Sequence, residues 1–301
     1  LVSGMGVVNH LRDRFGTVDL LPEPDYAALV EGETGIRVLS PGEARENEYD
    51  ILLDLSASRK SERFIRPINA SRKVCLAGSF LKRMRARLFH STVLRREDPH
   101  IVNGHLPFLR MFGESVMPVP RLTPGADAKI LAILARIRGE SGRKLAGIHI
   151  DAASERRVLP EGLVFGAIEQ LENIGMTTIL IGTNSDIAHR IEKRTDGRAR
   201  RIEFTLAGLK TALAGLDLFI GPDSGPLHVA AALGAPCVGI YGPNVPARSG
   251  PIAPNVRIVE LPLACRPCNQ NRPCPRKVAC IAGIDPAIIA NAAREIGRAH
   301  V

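Results

Sequence analysis

Leu218-Phe219-Ile220-Gly221-Pro222-Asp223-Ser224-Gly225-Pro226-Leu227-His228-Val229-Ala230-Ala231-Ala232-Leu233-Gly234 is the stretch whose reading decides the fold. The run from Leu216 to Ile220, apolar but for Asp217, has the length of a buried strand and stops at Gly221. Pro226 suits the first turn of a helix, where its missing N–H would have no partner anyway. Asp223 and Ser224 are residues that cap helices with a side-chain oxygen. Gly225 has no Cβ, so the backbone there can approach a ligand closely. A helix N-terminus offers free N–H groups and a partial positive charge, which together attract anions. Pro226 to Leu233 reads as that helix, Gly234 ends it, and Ala230 to Ala232 let it lie close to a sheet. Cys237 to Tyr241 reads as the next strand. The turn thus falls at the carboxyl end of a strand, where open α/β sheets bind ligands. An ordinary capped strand-turn-helix fits the same residues, and a histidine such as His228, taken alone, is more often structural.

The neighbouring segments alternate in the same way. Leu145 to Ile150, Thr177 to Ile181 and Leu216 to Ile220 read as strands; Pro160 to Asn173, Asp186 to Lys193 and Leu206 to Ala214 read as helices. Such alternation means βαβ units and a doubly wound parallel sheet. The N-terminal half repeats the pattern less cleanly. Val18 to Leu21, Ile36 to Leu39, Ile51 to Leu55 and Lys73 to Ala77 are expected strands. Pro24 to Glu31, Ser58 to Ile68 and His100 to Phe112 are expected helices. Between the halves, Met117 to Gly125 holds three Pro and a Gly in nine residues, which breaks both helix and strand. Two domains are therefore expected, 1–120 and 121–301.

The bulk composition agrees. The chain has 301 residues, 45% hydrophobic and 24% charged, which suits two soluble α/β domains. No run reaches the roughly 18 uncharged apolar residues that cross a bilayer. The opening Leu1-Val2-Ser3-Gly4-Met5-Gly6 lacks the basic and long apolar parts of a secretory signal, so a cytoplasmic location is expected. The first residue is not Met, which leaves a trimmed start open. Net charge is +9, with Lys and Arg crowded at Lys82 to Arg87, Arg95-Arg96 and Arg198 to Arg201. Such clusters suit phosphates, acidic glycans, anionic lipid or nucleic acid, or are solvated helix faces. Only 4% of residues are aromatic and Trp is absent, so stacking platforms for nucleic acid are scarce and no nucleic-acid partner is expected.

The segment from Leu218 through Ala235-Pro236-Cys237-Val238-Gly239-Ile240-Tyr241-Gly242-Pro243-Asn244 resembles the hallmark of glycosyltransferase family 9, the ADP-heptose:lipopolysaccharide heptosyltransferases and their relatives. The resemblance implies a GT-B fold, two Rossmann-like domains facing across a cleft, with acceptor in the first and nucleotide-sugar donor in the second. It implies that Asp223, Ser224, Gly225, Pro226 and His228 hold the donor's phosphates and sugar. Ile148 to Pro160 resembles the family's first C-terminal strand and phosphate loop. There Ala153 stands where the family usually has Ser or Thr, removing a donor, and Arg157 stands for Lys, keeping the charge with a different geometry. Asp186, after Ile181-Gly182-Thr183, matches an acidic position that contacts the ribose; a helix N-terminal charge fits it equally. The partners so implied are an ADP-heptose-like donor and a lipopolysaccharide or glycolipid acceptor, met peripherally at the inner membrane, where the basic segments from Lys82 to Arg96 would suit phosphorylated glycolipid.

Cys265-Arg266-Pro267-Cys268, Cys274-Pro275 and Cys280 place four thiols in sixteen residues. In a reducing compartment such spacing reads as a Cys₄ zinc or iron site before a disulfide. The resemblance also accounts for the cluster without a metal, so free or redox-linked thiols stay open. Either reading is structural; no cofactor is required for the chemistry. Cys75 and Cys237 read as small core residues.

A catalytic residue is not assigned. Inverting transfer needs a base, and the family's candidate is an Asp in a Gly-Asp loop after the first strand. Gly6 to Phe15 looks like the helix that follows that loop, so the first strand is expected to be missing or rewired, and Asp13 reads as a surface residue. Three functions compete: transfer of a heptose-like sugar, non-catalytic nucleotide-sugar binding or scaffolding on the same fold, and a basic nucleic-acid binder.

Overall fold

The computed structural model describes residues 1–56, 58–181, 185–268, 270 and 273–299, with the side chains of 185 and 297–299 set aside. Gly182 and Thr183, quoted above, lie outside the described residues. The chain divides into two compact units, Leu1–Leu122 and Thr123–Val301.

The first unit runs α1 (Val2–Phe15), β1 (Val18–Leu20), β2 (Ile36–Val38), α2 (Pro41–Glu46), β3 (Glu48–Asp54), α3 (Arg59–Ile65), β4 (Asn69–Ala77), α4 (Phe80–Ala86), β5 (Thr92–Arg95) and α5 (Leu106–Arg110). Its strands form two parallel sheets, β1-β2 and β3-β4-β5. Val7, Leu11, Val74, Leu76, Phe108 and Leu109 form the larger core. Ser40 and Ser58 open α2 and α3 with capping boxes, each hydroxyl accepting from the N–H three residues on. Beneath this core edge lies a buried ion pair. His90 Nε2 is 3.2 Å from Asp54 Oδ2, and Ser61 Oγ donates to the same oxygen at 2.9 Å. Two expected helices are revised. Pro24–Leu29 is a 3₁₀ turn, and the expected helix from His100 splits into a 3₁₀ turn, Asn103–His105, and α5, because Pro107 can sit only in a first turn.

The second unit runs α6 (Ala128–Ser141), β6 (Lys144–His149), α7 (Glu161–Asn173), β7 (Met176–Ile181), α8 (Ser185–Arg194), β8 (Ala199–Arg201), α9 (Leu206–Ala214), β9 (Leu218–Pro222), α10 (Gly225–Ala232), β10 (Cys237–Tyr241), α11 (Pro246–Ser249), β11 (Val256–Glu260), α12 (Ala279–Ala282) and α13 (Pro286–Ala299). Its sheet is parallel throughout, in the order β11-β10-β9-β6-β7-β8. β9 and β10 are buried at every position, as a strand covered on both faces requires. One core joins strand residues such as Ile148, Leu180 and Ile220 to Ile168 and Leu171 of α7 and Ile289 and Ile296 of α13. The sheet grows one way from β6 through β7 to β8 and the other way from β9 through β10 to β11. The reversal lies between β6 and β9, the place where such sheets open a crevice at their strand ends.

Arg198–Arg201 is not a helix face. It enters β8, and its charges are spent in ion pairs: Arg198 with Glu172 at 2.8 Å, Arg200 with Glu140, and Arg201 with Glu203 and, at 3.8 Å, Glu192. Among the described residues no helix is long and apolar enough to cross a membrane.

Candidate functional site at the strand reversal

The site is built where β6 and β9 end side by side. The loop after β6 carries Ala153, Ser154 and a 3₁₀ turn, Glu155–Arg157. β9 ends at Pro222, Asp223 follows, and Ser224 caps α10. Two loops distant in sequence therefore meet because their strands are neighbours in the sheet.

Asp223 is buried and surrounded by donors. Oδ2 accepts from Asn244 Nδ2 at 2.6 Å and Ser249 Oγ at 3.2 Å, and Oδ1 accepts from Tyr241 OH at 3.4 Å. Arg157 Nη1 lies 3.5 Å from Oδ2 and donates to the Asp223 carbonyl, and His228 Nε2 lies 4.0 Å from Oδ1. Burial, then the Asp223 charge, push the Tyr241 phenol well above its usual range, so Tyr241 stays a donor. Both carboxylate oxygens are thus used by the protein.

What is left for a ligand lies beside the carboxylate. Ser224 is 9% exposed, stands at the N-cap with extended backbone, and does not cap: its Oγ is buried with no hydrogen-bond partner among the described residues. Arg157 Nε is buried without a partner in the same sense. Pro226 takes the first turn of α10, and a methyl group built on Gly225 would meet nothing within 4 Å. Free helix N–H groups, an unused hydroxyl and a guanidinium held by Asp223 make an anion cradle.

Ala153 is exposed in the loop that carries Arg157. Asp186 lies in the first turn of α8, exposed, and no contact among the described residues ties it to the Asp223 group.

Sequence reasoning missed the ring behind Asp223. Asn244, Tyr241 and Ser249 come from the end of β10 and the α11 turn, and they reach Asp223 because β10 pairs with β9, an adjacency that no spacing in the chain records. Arg266, in the cysteine segment, donates to the carbonyls of Leu261 at 2.7 Å, Asn244 at 3.0 Å and Gly242, and pairs with Glu260 at 2.6 Å. Gln270 Nε2 donates to Asn244 Oδ1 at 3.3 Å and accepts from Ser154 Oγ. The cysteine segment is therefore a brace for the loop that holds Asp223.

The four thiols do not form a cage. Among the described residues no three His, Cys, Asp or Glu side chains come together to hold a metal. Cys265 is exposed and Cys280 buried. Backbone N–H groups of Val278 and then Arg276 hold the Cys274 thiol below its usual range, while burial pushes that of Cys280 up. Cys75 and Cys237 are buried core residues.

Over 94 residues the chain is 35% identical to lipooligosaccharide heptosyltransferase 2 of Campylobacter jejuni subsp. jejuni serotype O:2, a match covering 31% of this chain and only 29% of that relative. The fold is similar to the solved ADP-heptose lps heptosyltransferase II of E. coli, with a TM-score of 0.76 at 18% identity over 98% of this chain and 94% of the other. It is likewise similar to E. coli heptosyltransferase WaaC with ADP, with a TM-score of 0.75 at 15% identity over 98% and 95% of the two chains. The fold class is therefore α/β of the GT-B type. The sequence model of Glycosyltransferase family 9 (heptosyltransferase) matches residues 43–278, and the chain belongs to that family.

Proposed function

We propose that the chain transfers a heptose-like sugar from an ADP-sugar to a lipopolysaccharide core or related glycan, with the second unit (expected as 121–301) binding donor and the first (1–120) acceptor. The observation that carries this is the uncapped α10 N-terminus, with buried Ser224 Oγ and Arg157 Nε unused beside it. In such a transfer the acceptor oxygen attacks the anomeric carbon, the bond from that carbon to the diphosphate oxygen breaks, and ADP leaves with the electron pair. A base takes the acceptor's proton. Negative charge grows on the diphosphate as it leaves, and Arg157 and the α10 N–H groups face that charge. Asp223 acts at one remove, holding Arg157 and the Asn244 loop in place, with His228 beside it. Gly225 and Pro226 shape the turn, and Ala153 and Asp186 line the phosphate and ribose sides. The E. coli enzyme solved with ADP makes ADP the first probe.

Calorimetry with ADP and with an ADP-sugar tests the reading; no binding of either would sink it. One observation favours the alternative, a member that binds nucleotide-sugar without transferring it. Asp13, the only acid in α1, is exposed and paired with Arg12 at 2.7 Å and with Arg121, which hold its carboxyl below the usual range. Binding without transfer to a heptose-deficient lipopolysaccharide would select that alternative.

The enzyme works, on this reading, at the cytoplasmic face of the inner membrane, where its glycolipid acceptor is presented. The chemistry needs no metal. A structural zinc or iron on Cys265, Cys268, Cys274 and Cys280 would require the segment to draw its thiols together, and metal analysis of the purified protein decides it.

A further inference from the structure

The net positive charge of this chain is concentrated in one region. Residues 55–96 hold twelve Lys and Arg and a single acid, Glu62, while the whole chain is +9, so the remainder carries a slight negative excess. The region lies in the first unit and contains α3, β4, α4 and β5.

Within it, α4 is oriented against the rule for soluble helices, whose apolar stripe faces the core. Ala86 is its buried residue, at 3% exposure. Phe80, Leu81, Met84 and Leu88 are 66%, 79%, 50% and 76% exposed. Leu88 N donates to Arg85 O at 3.1 Å, so the helical turn carries on through it. At about 100° per residue these four fall on one stripe opposite Ala86. Lys82, Arg83 and Arg87 stand to either side of the stripe, and none of the three is in an ion pair among the described residues. Arg85 anchors the helix to Glu62 at 2.9 Å. This is the opposite of Arg198–Arg201, whose charges the fold neutralises.

An outward apolar stripe marks an interaction surface. Unpaired cations along both flanks select its partner: an apolar interior bordered by anions, which a bilayer of acidic lipid supplies. We infer that the α4 face docks on an anionic lipid bilayer, with Phe80, Leu81, Met84 and Leu88 entering the interface and Lys82, Arg83 and Arg87 engaging the headgroups. This deepens the membrane side of the proposed function and rests on that reading for the kind of surface; it does not depend on the donor turn.

The test is co-sedimentation of the full chain with vesicles, without nucleotide. Wild type is expected to bind vesicles of phosphatidylglycerol and phosphatidylcholine and not phosphatidylcholine alone. Leu81→Ser with Met84→Ser, and separately Lys82→Glu with Arg83→Glu, should each weaken binding roughly tenfold or more. These side chains are at the surface, so folding should be preserved, with circular dichroism as the check. The chain has no Trp, so Leu81→Trp gives a single fluorophore whose emission should shift to the blue on anionic vesicles. Failure of wild type to bind, equal binding to phosphatidylcholine, or indifference to the Leu81→Ser, Met84→Ser pair would overturn the inference. So would loss of an oligomer in that pair with vesicle binding intact, which would give the face to a second copy. ADP calorimetry run alongside separates the two proposals: vesicle binding without ADP binding fails the donor reading and leaves this one standing.

Discussion

Ser224 is an N-cap residue whose hydroxyl is not spent on its own helix. Asp223 beside it is spent entirely on its surroundings. The two therefore predict opposite mutational signatures. Ser224→Ala should leave chemical denaturation unchanged within about 0.5 kcal/mol and weaken ADP about three- to tenfold, the worth of one hydrogen bond. Asp223→Ala should cost about 3 kcal/mol of stability as well as ADP binding, because it strands buried donors and Arg157. His90 carries a pH signature. Burial alone would lower its pKa, but the Asp54 carboxylate, with Cys75 and the Ala86 carbonyl, outweighs burial and raises it from 6.5 to about 10. A raised folded pKa stabilises fully below about pH 6.5, and that contribution is lost as pH rises through about 10. Urea denaturation should therefore show wild type losing more stability between pH 7 and pH 10 than His90→Gln does.

At the scale of elements, β6, β7, β9 and β10 were readable because burial on both faces writes a continuous apolar run, whereas β11, mostly half-buried, was not read as a strand. Cys237–Tyr241 and Leu206–Ala214 match the sequence reading to the residue. β8 was not readable: its three residues include two arginines, and it becomes a strand by pairing with β7, with Glu140 and Glu203 beside those arginines. The turn glycines separate packing from ligand approach. A Cβ at Gly242 would lie 2.4 Å from Ile281 Cγ1 and 3.2 Å from Cys280 Sγ, whereas one at Gly225 meets open space. Gly242→Ala should thus lower stability by about 1–3 kcal/mol through overpacking. Gly225→Ala should keep or slightly raise stability, as Ala is the better helix former, while weakening ADP about tenfold or more by filling the ligand's approach. Thermal melts paired with calorimetry check both.

At the scale of the whole molecule, each unit has its own core. Ligand binding at the β6–β9 reversal should therefore protect residues of the second unit first. Hydrogen exchange with saturating ADP is expected to slow around β9, α10 and the β10–α11 loop, and protection confined to the first unit would contradict the site. The sequence by itself determined the alternating α/β plan, the strand-turn-helix at Leu218–Gly234 and the family, because periodicity, capping residues and a motif are local properties of a chain. Only the tertiary structure decided which groups surround that turn. Asn244, Ser249, Arg266 and Gln270 reach it through strand neighbours and a folded-back segment, and no spacing in the chain records that adjacency. Tertiary structure likewise decided which basic cluster keeps its charge, since a nearby carboxylate can come from anywhere in the chain.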